Sequence, residues 1–132
     1  MWLIEDSATD AYVIGEVLKD CGFEHDLQVI SDGDVALQML RAATGEEGRL
    51  GPDLLLLDLN VPKVPGLDLL SYVRHAPEIA GIPVVVVTSS DSPGDLAAMQ
   101  KLGATAYFRK PADLDEFMAL CDVIRAALPS AR

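Results

Sequence analysis

The sequence predicts an α/β fold, a parallel sheet with helices on both faces. Three observations carry this expectation. Strand-like and helix-like segments alternate five times along the chain, the pattern of successive right-handed βα units. The run Leu54–Leu57 and the β-branched run Ile82–Thr88 are apolar without a polar break until their ends, as strands buried on both faces are. The leucine run also stops abruptly at Asp58, and the carboxyl ends of parallel strands are where α/β proteins place their ligand crevices.

Taken in order, Trp2–Ile4 reads as a strand that runs into Glu5 and Asp6. Ser7 with Asp10 has the spacing of a capping box. The helix behind it has Ala11, Ile14, Leu18 and Cys21 as its inward stripe, and Gly22 stops it. Leu27–Ile30 is the second strand. Asp32 and Gly33 turn the chain into a helix with Ala36, Leu37 and Leu40 inward. Residues 45–52 form the one long polar connection, read as a surface loop rather than a boundary between domains.

After the leucine strand, residues 62–66 lead into a helix with Leu67, Leu70 and Val73 inward. The Ile82–Thr88 strand ends in hydroxyls, Thr88, Ser89 and Ser90. Ser92 and Pro93 then begin a short helix that Gly103 closes. Ala106–Arg109 is the fifth strand and is followed by Lys110 and Pro111. Asp113 and Glu116 open the last helix, with the stripe Leu114, Phe117, Cys121, Ile124 and Leu128, and Pro129 ends it. Leu120, Val123 and Ala127 add a second apolar edge, beside which the fourth helix is expected with Leu96 and Met99. That surplus fits a wide core face and a surface for a partner or a second copy equally well.

Composition narrows the class. A chain of 132 residues, half of them hydrophobic, is a single domain able to bury its own core, expected over residues 1–128 with a short tail at 129–132. A formal charge of −11 argues against nucleic-acid binding, which needs clustered Lys and Arg; it suits a cation or a basic partner. No apolar run is long enough for a membrane span, and the opening residues lack the pattern of a signal peptide. Cys21 and Cys121 have no metal-ligand spacing and fall on apolar helix faces, so buried reduced thiols and a cytoplasmic location are expected. His25 and His75 adjoin loops and carry no assignment.

The chemistry is expected at the strand ends, which are Glu5–Asp6, Asp58, Thr88 and Lys110. Each has a plain reading alone: a helix cap, a turn residue, a β-former, a solvated charge. Together they would converge on one rim of a parallel sheet. Clustered carboxylates call for a hard cation such as Mg²⁺. An amine and a hydroxyl beside it suit a phosphoryl group, and a carboxylate can itself accept phosphate as an aspartyl-phosphate.

These residues make the chain resemble a response-regulator receiver domain of two-component signalling, over nearly its whole length from Leu3 to about Leu128. The resemblance implies a flavodoxin-like five-stranded sheet in the order 2-1-3-4-5. It implies that Asp58 takes a phosphoryl group from a sensor histidine kinase, and that Mg²⁺ is held by Asp6, Asp58 and the Asn60 carbonyl with Glu5 assisting. Lys110 would pair with the phosphoryl group and precede a cis proline, and Thr88 and Tyr107 would form the switch. No turnover of an external substrate is implied. The segments 57–63 and 113–117 are similar to those of stand-alone receivers paired with phytochrome-type kinases, which further implies output by protein contact and a homodimer.

One departure is plain: Val64-Pro65-Gly66 stands where the family commonly has Met-Asp-Gly. It keeps open a receiver that works without phosphorylation, as an interaction module. An aspartyl-phosphate phosphatase on a similar sheet would need a second aspartate two residues past the nucleophile. Asn60 stands there.

Overall fold

The computed structural model describes residues 1–23, 27–43 and 52–128. The predicted loop at 45–52 therefore lies outside the described residues except for Pro52, as do His25, Pro129 and the rest of the tail. The elements follow as β1 (Trp2–Ile4), α1 (Ala8–Asp20), β2 (Gln28–Ile30), α2 (Gly33–Ala43), β3 (Leu55–Leu57), α3 (Gly66–His75), β4 (Val84–Thr88), α4 (Pro93–Leu102), β5 (Ala106–Arg109), α5 (Leu114–Phe117) and α6 (Leu120–Ala127). All strand pairs are parallel and the sheet order is β2-β1-β3-β4-β5. The topology is the one the resemblance implied.

The leucine run shows why β3 can be apolar throughout. Leu55 and Leu57 point into one core layer with Ile4, Leu69, Leu70 and Val73, under α2 and α3. Leu54 and Leu56 point into the other, with Ile14, Leu18, Phe117 and Ile124, under α1, α5 and α6. A strand with period-two side chains and a helix layer on each face has no solvated side left. In β4, Val85 and Val87 face the second layer, while Val86 meets Met99 and Leu59 beneath α4.

The helix ends read from the sequence recur in the structure. Ser7 accepts from the Asp10 N–H and Ser92 from the Asp95 N–H. Pro93 stands at the start of α4, and Gly103 caps its end at φ 86°, a conformation that favours glycine. Arg74 then ties the far end of this layer together. Its guanidinium donates to the carbonyls of Ala80, Ile82 and Gly103 and to Thr105 Oγ1.

Four expectations change. The last helix is not one rod: at Met118 and Ala119 the backbone switches to i→i−3 hydrogen bonds, Met118 N–H to the Asp115 carbonyl and Ala119 N–H to that of Glu116. That tighter turn shifts the helical phase, so Leu114 turns outward at 59% exposure while Leu120 is fully buried. Val123 and Ala127 pack against the same core layer, so the second apolar edge is core. Helix α4 also does not lie beside α6, because the two cover opposite faces of the sheet with β5 at the edge between them. Among the described residues no peptide bond is cis, Lys110–Pro111 included; trans is the form ordinarily favoured, though only slightly before proline.

The fourth change concerns the cysteines, which are not reduced. Cys21, at the C-cap of α1, and Cys121, in α6, form a disulfide between Cα atoms 6.0 Å apart. Each sulfur lies on the inward stripe of its helix, and packing α1 against α6 brings them together. Arg125 reinforces the junction by donating to the Cys21 carbonyl at 3.2 Å, with its guanidinium over the Phe23 ring.

A cross-link closing a loop of 100 residues restricts the unfolded chain strongly, by about 2–4 kcal/mol in ordinary cases. Reductant, or Cys121→Ser, should therefore lower the melting temperature by roughly 10 °C. Thermal melts with and without reductant check this. Two titratable thiols in the untreated protein, with an unchanged melt, would contradict it.

Candidate functional site

The sheet ladder extends one residue past three strands, and that step delivers the polar groups. The Glu5 N–H donates to the Ile30 carbonyl at 2.9 Å, the Asp58 N–H to the Ile4 carbonyl at 3.0 Å, and the Lys110 N–H to the Thr88 carbonyl at 2.9 Å. Strands β1 and β3 are neighbours, so Glu5 and Asp58 stand side by side at the rim. Lys110 comes from β5, two strands from β3 and hence about 10 Å away at ordinary strand spacing. A long side chain is needed to cross that gap.

Lys110 crosses it. Its ammonium Nζ lies 2.7 Å from Glu5 Oε1, 2.8 Å from Asp10 Oδ2 and 2.9 Å from Asp58 Oδ2. The lysine side chain is only 9% exposed and that of Asp58 7%, so these charges meet with little water to screen them. Glu5 Oε1 has no aligned hydrogen-bond donor among the described residues; the lysine holds it as an ion pair. Its other oxygen accepts from the Ser7 N–H at 3.2 Å.

The electrostatics follow from burial and from this cation. Burial works against the Asp58 carboxylate, but hydrogen bonds from Lys110 and from the Asn60 N–H outweigh it and hold Asp58 below its usual range. At Glu5 burial wins. Desolvation, opposed by Lys110 and aided by the Asp58 charge, pushes it up to about 7. Lys110 is also desolvated, yet Asp10, Glu5 and Asp58 together keep it well above its ordinary value. The site thus holds a committed anion at Asp58, a committed cation at Lys110 and a proton-sensitive acid between them.

Glu5, Asp6 and Asp58 each offer a carboxylate oxygen, and the three oxygens lie within 4.8 Å of one another. Hard oxygen donors at this spacing, with Asp6 exposed and the other two buried, fit a hard divalent cation that keeps several waters. Thr88 ends β4 on the same rim, fully buried, with Oγ1 accepting from the Ser90 N–H. Tyr107 on β5 donates to the Ser90 carbonyl at 2.7 Å, so the loop after β4 is gripped from the neighbouring strand. Asp10 is the residue that sequence reasoning missed. Its spacing from Ser7 is that of a capping box, but Ser7 caps it without return while its carboxylate goes to Lys110. Its place one turn after Asp6 on the same rim was the available signal.

The loop after Asp58 is fixed by close backbone approaches. A Cβ on Gly66 would meet the Asp58 carbonyl oxygen at 2.5 Å, and one on Gly33 would meet the Val64 oxygen at 2.1 Å. Lys63, at φ 74°, reaches Asp32 at 3.1 Å, and the Gly33 N–H donates to the Pro62 carbonyl. Pro65 is exposed at the N-cap of α3, and its presence leaves the acid–lysine cluster intact.

Residues 1–122 match the response regulator receiver domain family. The chain belongs to that family. The receiver is 34% identical to the response regulator Rcp1 of Synechocystis sp. over 94% of its own length and 84% of that protein's. The structure of the Mn(2+)-bound form of Rcp1 superimposes at TM-score 0.81 and 32% identity, covering 98% of this chain and 97% of the other. That of the phosphorylated cyanobacterial phytochrome response regulator RcpA does so at 0.83 and 33%, covering 98% and 96%. A bacteriophytochrome response regulator, RtBRR, matches at 0.78 and 32%, covering 99% and 79%. No helix among the described residues is long and apolar enough to cross a membrane.

Glu5 supplies a pH test. Its folded value of about 7 lies above the 4.5 of the unfolded group, so folding favours the protonated form. The stability it contributes is full below about pH 4.5 and is lost as pH rises through about 7. Melting temperatures in the presence of a chelator should show Glu5→Gln gaining on the wild type between pH 5 and pH 8. A difference that stays flat across that range would contradict the raised value.

Proposed function

We propose that this receiver is a stand-alone response regulator that accepts a phosphoryl group on Asp58 from a sensor histidine kinase and signals by protein contact. The observation that carries the proposal is the pairing of Asp58 Oδ2 with Lys110 Nζ at 2.9 Å inside an acidic, largely buried cluster. Asp58 is kept anionic and therefore nucleophilic at neutral pH. Lys110 is kept cationic, so it can follow charge as that charge moves from the carboxylate to a phosphoryl oxygen. Asp6, Asp58 and the Asn60 carbonyl, with Glu5 assisting, would hold Mg²⁺. That ion supplies neutralisation of phosphoryl charge when bound.

Thr88 would then turn its hydroxyl toward the phosphoryl group and give up the Ser90 N–H. Tyr107, whose hydroxyl holds the Ser90 carbonyl, is placed to sense that change, so the switch is two hydrogen bonds to one residue. The similarity to regulators named for phytochromes and bacteriophytochromes supports a phytochrome-type kinase as the donor, and with it a cytoplasmic location, for which the cysteines no longer argue. A homodimer belongs to the same reading, and sedimentation velocity of phosphorylated and unmodified protein measures it. Pro65 is exposed and the cluster is complete without an acid there, which supports the phospho-acceptor reading over that of a phosphorylation-independent interaction module.

Acetyl phosphate with Mg²⁺ should add one phosphoryl group, released by hydroxylamine as an acyl phosphate is. Asp58→Asn should abolish the labelling, and Thr88→Ala should permit it while silencing the conformational response. Intact-mass spectrometry decides, and a stable label on the Asp58→Asn protein sinks the assignment.

A further inference from the structure

We infer that Asp10 is a positioning residue, one that keeps the Lys110 ammonium beside Asp58 from the first turn of α1. The inference rests on the reading of Asp58 as the phospho-acceptor. Lys110 has three carboxylate partners at nearly equal distances, 2.7 Å to Glu5, 2.8 Å to Asp10 and 2.9 Å to Asp58. Two of them, Glu5 and Asp58, also belong to the acidic cluster with Asp6. Any cation held there competes with the ammonium for the same oxygens and repels it. Asp10 lies outside that cluster, so its attraction for Lys110 persists whatever the cluster holds.

The helix that carries Asp10 is firmly placed. Ile14, Val17 and Leu18 are buried in the core, and Ser7 Oγ fixes the Asp10 N–H at 3.1 Å. The Asp10 side chain is 36% exposed against 9% for Lys110, so the pair closes the site on the side facing α1. A duller account also exists, since an acid in the first turn of a helix is favoured by the helix dipole alone. The two accounts differ in whether Lys110 matters.

The decisive experiment is a double-mutant cycle read in two ways. In metal-free protein with chelator, Asp10→Asn should lower the melting temperature when Lys110 is present. In the Lys110→Met background it should raise it, because three carboxylates are then left without their cation. A dipole role would lower it in both backgrounds and would overturn the inference. With acetyl phosphate as donor and Mg²⁺ saturating, Asp10→Asn should reduce the maximal phosphorylation rate roughly tenfold. Asp10→Glu should restore part of it, and Asp10→Asn should cost nothing further once Lys110 is Met. Labelling of the Asp10→Asn protein at the wild-type rate overturns the positioning role and leaves Asp58 as acceptor. A wild-type protein that takes no label overturns the functional reading itself, and the positioning role with it, while the melts still report the Asp10–Lys110 pair.

Discussion

One ammonium group holds the functional rim together. Lys110 sits within 3 Å of carboxylates at the exits of β1 and β3 and on α1, all of which would repel one another without it. Burying one charge against three opposite ones is costly in desolvation and repaid only by close geometry. The geometry here is supplied by the sheet. The ladder bonds of Glu5, Asp58 and Lys110 to the neighbouring strands set the three backbones before any side chain is placed. The fold and the site are thus one construction, and a register slip in β3 or β5 would dismantle both.

Helix α1 is tied down at both of its ends. Near the rim, Asp10 of α1 meets Lys110 at the exit of β5. At the far end Cys21 is bonded to Cys121, and Arg125 of α6 spans to the Cys21 carbonyl. Between these points the contact is apolar, with Ile14, Val17 and Leu18 against Phe117, Leu120 and Ile124 in one layer. The opposite face is joined differently, through Arg74, which links α3 to the C-terminal end of α4 and to the segment that leads into β4. One layer is therefore cross-linked covalently and the other by hydrogen bonds to carbonyls.

Much of this was legible in the sequence, for identifiable reasons. Unbroken apolar runs such as Leu54–Leu57 have few structural solutions, and a polar residue directly after such a run must lie at the sheet rim. That rule points to Asp58 and Thr88; Lys110 follows Arg109 and is legible only as the residue at the end of the fifth strand, taken together with the other strand ends. The features that escaped are those in which a sufficient local explanation hides a distant one. Asp10 satisfied a capping pattern, so nothing required it to reach Lys110, 100 residues away. Cys21 and Cys121 satisfied apolar stripes on separate helices, and only the packing of α1 on α6 reveals their proximity. The stripe through Leu114 and Leu128 assumed a uniform helical pitch, and the tightened turn at Met118–Ala119 breaks that assumption.

The loop that follows Asp58 is shaped by missing atoms as much as by contacts. Gly66 leaves room for the Asp58 carbonyl and Gly33 for that of Val64, so two segments that are distant in sequence share one steric requirement. This makes the loop a poor candidate for transplantation on its own. Grafting residues 58–66 into another sheet would carry the chemistry but not the vacancy at the start of the second helix, and a host with any side chain there would force the loop off its path. Exchange between homologous proteins should succeed when both segments move together.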